Sequence, residues 1–261
     1  MKGRLLPPIK EADEYWVLAR QPLHCLLFLL PLLATYEVGV CLAAGAGNDA
    51  ARNGADYWMR IGLKLAGLQH PFLLPLGVIG LLAIWQIAGH YQWKPSAATL
   101  FGMLAESVLF GVCLVILGQL QDLAFRTQLA QGAPAQRVLL EGISTQPGVL
   151  PRAVSYVGAG VYEEVLFRLC LLPILYGLFR TILIPRQAAI VLSVLATSLL
   201  FSAAHYVGPA ADQFAPFSFV FRATAGLVFA MLFVFRGFGI TVGSHAAYDL
   251  LVGILIPAFG S

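Results

Sequence analysis

The chain has 261 residues, of which 59% are hydrophobic and 11% charged, against about 25% charged residues in an ordinary soluble domain, so a water-soluble globule is excluded. A mean hydropathy of +0.81 means that most of the apolar surface faces lipid. Its 16 basic and 13 acidic residues give a net charge of +3 with no cluster dense enough to follow a phosphate backbone, which argues against a nucleic-acid partner.

Residues 1–21 mix Lys2, Arg4, Lys10, Glu11, Asp13, Glu14 and Arg20 with Pro7 and Pro8. The apolar run that follows, 23–44, is broken only by Pro31 and Glu37. It is too long for the apolar core of a signal peptide and reads as a first membrane helix. Over 48–69, Asp49, Arg52, Asp56, Arg60 and Lys64 alternate with Tyr57, Trp58, Ile61, Leu63 and Leu65. That spacing predicts an amphipathic helix at the interface, and a soluble loop helix fits the same pattern. Further apolar runs at 72–88, 97–120, 153–178, 188–205, 217–235 and 240–259 complete the set. The predicted fold is all-α: a polytopic membrane helix bundle of about seven spans plus the interfacial helix. The Gln-rich stretch 121–146 is the longest polar connection. It suggests residues 1–150 as N-terminal membrane helices without an assigned motif and 151–261 as a catalytic core.

Several smaller features fit this frame. The four cysteines, Cys25, Cys41, Cys113 and Cys170, lie in or beside apolar runs with no C-x-x-C pair and read as packing residues. Trp16, Tyr57, Trp58, Tyr91, Trp93 and Tyr206 sit near span ends, where aromatic residues anchor. Pro173 and Pro185 are expected to kink or end their helix, and Gly158 and Gly160 to permit close helix approach. No internal repeat is visible, which weighs against an inverted-repeat transporter. A cytoplasmic N-terminus places Lys2, Lys10, Lys94, Arg180, Arg186 and Arg236 inside and leaves Arg52, Arg60, Lys64, Arg126 and Arg137 outside. The lysine and arginine bias therefore favours an N-in, C-out protein of the cell membrane.

An ionisable residue near the centre of a span costs about 2.5 to 3.5 kcal/mol on insertion scales, so each needs a partner, water or a function. Glu163, Glu164 and Arg168 form E-E-x-x-x-R, His205 closes F-x-x-x-H, and His245 and Asp249 form H-x-x-x-D. Residues four apart share a helix face. Glu164 and Arg168 are thus placed to pair, with the acid N-terminal to the base as an ion pair prefers, in a structural or supporting role. Glu163 points to another face and has no sequence-local partner, while His245 and Asp249 stack one turn apart.

These three motifs, in this order on three hydrophobic helices, resemble the CPBP family of intramembrane endopeptidases, which includes CAAX prenyl proteases and bacteriocin-processing relatives. The resemblance covers about residues 153–259. It implies a glutamate-dependent hydrolase without metal or cofactor. Glu163 would be the general base that activates a water, with His205 binding or polarising that water and His245 and Asp249 at the oxyanion. Such proteases usually carry Asn where this chain has Asp249. An amide can donate, whereas an ionised carboxylate only accepts. Asp249 is then either protonated or a group that orients His245.

Two other readings compete. One Glu, two His and one Asp are a plausible zinc set for a metalloprotease, although no H-E-x-x-H occurs. A non-catalytic scaffold or proton-coupled transporter would also carry intramembrane acids, and Glu37 and Glu106 would suit a proton relay. The complete motif set favours catalysis. The partners then expected are the lipid bilayer and a peptide or protein substrate in or at the membrane, of which a prenylated C-terminus, a leader peptide or a C-terminal sorting tail would each fit.

Overall fold

A computed structural model of the chain describes residues 11–44, 52–128, 148–208 and 211–257. Lys2, Arg4, Pro7, Pro8, Lys10, Asp49, Arg137, most of the polar connection 121–146 and the end of the last predicted span lie outside these residues. Among them the protein is all-helical, with no strand. The helices are α1 (Glu11–Leu18), α2 (Pro22–Ala44), α3 (Gly54–Leu65), α4 (Leu73–Ala88), α5 (Ala97–Gln128), α6 (Val149–Glu164), α7 (Leu172–Thr181), α8 (Arg186–Ala204), α9 (Pro216–Arg236) and α10 (Phe238–Leu250). Wide π-helical turns join α6 to α7 at Val165–Leu171 and extend α10 at Leu251–Leu255.

Among the described residues five segments are long and apolar enough to cross a membrane: Pro22–Ala43, Ala97–Thr127, Arg186–Ala204, Pro216–Arg236 and Phe238–Leu255. The other two predicted spans fall on α4, a shorter apolar helix of 16 residues, and on the continuous helix 149–181 that carries Glu163, Glu164 and Arg168. α5 runs eight residues past the predicted end at 120, where Phe125 meets Phe217 edge-on at 5.4 Å and Asp122 pairs with Arg126 at 2.8 Å one turn on.

Both π-helical turns have a visible cause. Each ends two residues before a proline, Pro173 or Pro257. A proline ring clashes with the carbonyl four residues earlier and removes one helical donor. The carbonyls concerned, Leu169 and Gly253, lie inside the widened turns, so the helix opens there instead of stopping. Pro173 thus deforms its helix without ending it, whereas Pro185 caps the start of α8.

α10 is the central element, packed against α2, α5, α6 and α9, and all of 238–246 is buried. Its small residues make that possible: a side chain on Gly239 would meet Met103 and Cys25, and one on Gly243 would meet Phe28 and Ser107. The two glycines ahead of the acid pair serve the same end. A Cβ on Gly160 would come within 2.8 Å of the Ala246 backbone nitrogen, and one on Gly158 would strike the Tyr36 ring. α6 is therefore held between α2 and α10 at backbone-contact distance.

α3 is amphipathic with its polar face turned inward. Asp56 and Arg60 are buried while Ile61 and Leu65 are exposed, because Arg60 pairs there with Glu37 of α2 and with Asp56. The apolar face is left for lipid. At the other end of the bundle Glu106 of α5 and Arg236 of α9 form a bidentate pair at 2.6 to 2.9 Å. The Arg236 guanidinium lies 3.3 Å from the Trp16 ring centroid and fastens α1 to the bundle. Glu37 and Glu106, the two acids that suited a proton relay, are thus both tied to arginines.

Candidate active site

The acid pair falls on the last turn of α6, where consecutive residues point about 100° apart. Glu164 is directed into the protein and is fully buried; Glu163 faces a cavity. Arg168, one turn on and also fully buried, donates to Glu164 Oε1 at 3.1 Å and to the Gly226 carbonyl of α9 at 2.9 Å. Its guanidinium lies over the Phe201 ring at 4.5 Å. The expected pair therefore forms, and it does more than clamp one helix. The same Glu164 Oε1 accepts from Nδ1 of His245 at 2.7 Å, linking α6, α9 and α10. Nothing in the spacing signals this contact, since the partners are 81 positions apart.

His245 is fixed on three sides. Its Nδ1 is held by Glu164, its ring stacks on Phe229 at 4.5 Å, and Phe201 meets it edge-on at 5.8 Å. Because a carboxylate accepts only, Nδ1 carries a proton and Nε2 turns to the cavity. There Nε2 lies 3.5 Å from Asp249 Oδ2 and 3.9 Å from Glu163 Oε2. His205, the C-cap of α8, has its Nδ1 2.9 Å from the Phe201 carbonyl. A carbonyl also only accepts, so Nδ1 of His205 carries a proton and its Nε2 faces Glu163 Oε2 at 3.8 Å. Glu163 Oε2 is buried and has no hydrogen-bond partner among the described residues. Both histidines thus approach one carboxylate oxygen of Glu163, at separations where a water can sit between the groups, and Asp249 joins them through His245.

They line a cavity of about 890 Å³. A third of its lining residues are aromatic, including Phe167, Phe217, Phe221 and Tyr248, and it reaches Arg52 and Trp58 of the front half. Arg222 also lines it and bonds Asp212 at 2.5 Å. Arg222 escaped the sequence reading although its signal was present, an arginine inside the apolar run 217–235. Arg52 sits in the connection before α3. Burial works against its charge, but the hydrogen bond and charge of Asp56 and the charge of Glu37 outweigh burial and hold its pKa above the ordinary value. Among the described residues no group of three or more His, Cys, Asp or Glu is arranged to hold a metal ion.

Residues 145–251 match the family described as Rce1-like, type II CAAX prenyl endopeptidase Rce1-like. The matched segment contains every motif residue, Glu163, Glu164, Arg168, His205, His245 and Asp249. The match, over less than half of the chain, supports a CAAX-type integral membrane peptidase, a hydrolase acting on peptides or proteins associated with the membrane. No curated protein and no solved structure matches the chain.

Removing Arg168 would leave Glu164 buried with half its charge compensation, and breaking a buried pair costs about 3 to 5 kcal/mol. Arg168→Ala is therefore expected to lower both the thermal midpoint in detergent and the yield of folded protein. A variant as stable as wild type but inactive would move Arg168 from a supporting role into the reaction.

Proposed function

We propose that the protein is a glutamic-type intramembrane endopeptidase in which Glu163 activates the attacking water. The observation that carries this reading is the placement of Glu163 Oε2, buried, unpaired and within 4 Å of the Nε2 atoms of both histidines. A water in that gap finds two acceptors, the Glu163 carboxylate and the His205 Nε2 lone pair. One of its protons passes to Glu163 as its oxygen adds to the scissile carbonyl, a step for which general-base catalysis contributes about 10²- to 10⁴-fold. The protonated Glu163 then supplies the leaving amine.

The developing oxyanion needs a donor, and His245 Nε2 is the group aimed at that side of the cavity. With Nδ1 already donating to Glu164, Nε2 donates only when the ring is doubly protonated. Asp249 opposite it balances that charge. This gives the aspartate a function suited to a carboxylate, orienting and compensating His245, while the imidazolium alone donates. Residues 151–261 would then carry the chemistry and 1–150 support it.

The aromatic wall suits an apolar substrate segment, and the type of substrate named for the matched family, a prenylated CAAX C-terminus, is the natural first probe. A leader peptide or a C-terminal sorting tail would fit the same wall. The cavity is lined by the α2–α3 connection, the α8–α9 connection and the last turns of α10, which all belong to one end of the bundle. With the N-terminus in the cytoplasm of a cell-membrane protein, that end is extracytoplasmic, and the cleavage site would be presented there.

Glu163→Gln should accumulate normally and lose at least about a hundredfold in cleavage of an internally quenched farnesylated CAAX peptide. Chelators should leave the wild type unaffected; chelator-sensitive activity restored by zinc would favour the metalloprotease. For orientation, a Val207→Cys variant of an otherwise Cys-free protein places its thiol at an exposed cavity-rim position. It should react with an impermeant thiol reagent added outside the cell. Reaction only from the cytoplasmic side would reverse the topology.

A further inference from the structure

The front half holds a buried charge cluster with no part in the motifs. Glu37 of α2 accepts from Arg52 and Arg60, each at 3.3 Å. Asp56 of α3 accepts from Arg52 at 2.8 Å and from Arg60 at 2.6 Å. Tyr36 donates to Asp56 at 2.9 Å and accepts the Asn53 N–H at 3.1 Å. Two carboxylates against two guanidiniums leave the cluster neutral, as a low-dielectric setting requires. One further contact leaves the front half: Glu37 Oε1 accepts the hydroxyl of Tyr162, the residue immediately before Glu163. Tyr162 is fully buried and meets Tyr36 edge-on at 5.3 Å.

The geometry points to Glu37 and Tyr162 as positioning residues for the hydrolysis, setting through α6 the direction in which Glu163 faces its two histidines. This rests on the reading of Glu163 as the base. On a helix, residues 162 and 163 project about 100° apart. A bond tying Tyr162 to α2 therefore fixes the rotation of α6, and with it the aim of the Glu163 carboxylate. The Glu164–His245 bond holds α6 on its α10 side; on its α2 side, where the glycine contact is apolar, a hydroxyl donating to a carboxylate specifies one orientation. Tolerance is small, because displacing a reacting group by about 1 Å can cost about 10²-fold in rate. The acceptor is equally fixed, since Glu37 is held by two arginines that are themselves anchored on Asp56.

The test uses the full-length protein in detergent and the quenched farnesylated CAAX peptide. Tyr162→Phe keeps the ring and leaves Glu37 with both arginines, so the fold should hold. The expected result per folded molecule is a fall in kcat of about tenfold or more with KM nearly unchanged, since substrate contacts are untouched. Tyr36→Phe removes a hydroxyl from the same cluster that does not reach α6, and should lower the thermal midpoint while leaving kcat at the wild-type value. Glu37→Gln keeps a carbonyl to accept the Tyr162 hydroxyl and should retain most of kcat, whereas Glu37→Leu should behave as Tyr162→Phe; this pair decides the matter if Tyr162→Phe does not accumulate. Wild-type kcat in Tyr162→Phe, or equal losses in Tyr36→Phe and Tyr162→Phe, would overturn the proposal. If Glu163→Gln still turns over, the base reading fails whatever Tyr162→Phe does. If Glu163→Gln is inactive while Tyr162→Phe matches wild type, the positioning role alone falls.

Discussion

The Glu164 carboxylate is the point at which the back half is joined. A charge removed from water must be balanced where it sits, and a single oxygen of Glu164 meets both the Arg168 guanidinium and the His245 imidazole. Arg168 in turn bonds the Gly226 carbonyl, so three helices converge on one ionic contact. That contact determines which His245 nitrogen faces the cavity. The ring geometry then depends on it, together with the stacked Phe229 and the edge-on Phe201.

The same electrostatic demand separates supporting charges from reactive ones. Glu37 and Asp56 are neutralised by Arg52 and Arg60, Glu106 by Arg236, and Glu164 by Arg168. Glu163 Oε2 lies beside two histidines, at distances too long for a direct hydrogen bond. A carboxylate facing a cavity in that position suits the role proposed for it. On the proposed reading, stable insertion and base catalysis fall on adjacent residues and are separated by a single helical step.

Much of this was readable from the chain because helix geometry is short-range. The i, i+4 relation put Glu164 with Arg168 and His245 with Asp249, and the single-residue offset isolated Glu163. The apolar runs located the membrane helices, and Pro173 marked the place where one of them widens. Contacts between distant segments left no such trace. That Glu164 reaches His245, that Tyr162 reaches Glu37 and that α10 is enclosed by four helices all depend on packing, which local periodicity does not encode. The inward polar face of α3 shows the same limit. Its amphipathic pattern marks two faces, but which one meets lipid was decided by Glu37, a residue on another helix. Arg222 is different, since an arginine inside an apolar run is a local signal and belonged with the other intramembrane charges.

The central claim, that Glu163 activates water and does not itself attack the peptide bond, is tested most directly by isotope transfer in a single turnover. With enzyme in excess over the farnesylated peptide in ¹⁸O-enriched water, general-base hydrolysis places one ¹⁸O in the new carboxylate of the N-terminal product and none in the protein. Mass spectrometry of the product and of the tryptic or chymotryptic fragment bearing Glu163 reads both. An unlabelled product with ¹⁸O in the Glu163 carboxyl group would show that Glu163 forms a covalent acyl intermediate, and would contradict the account.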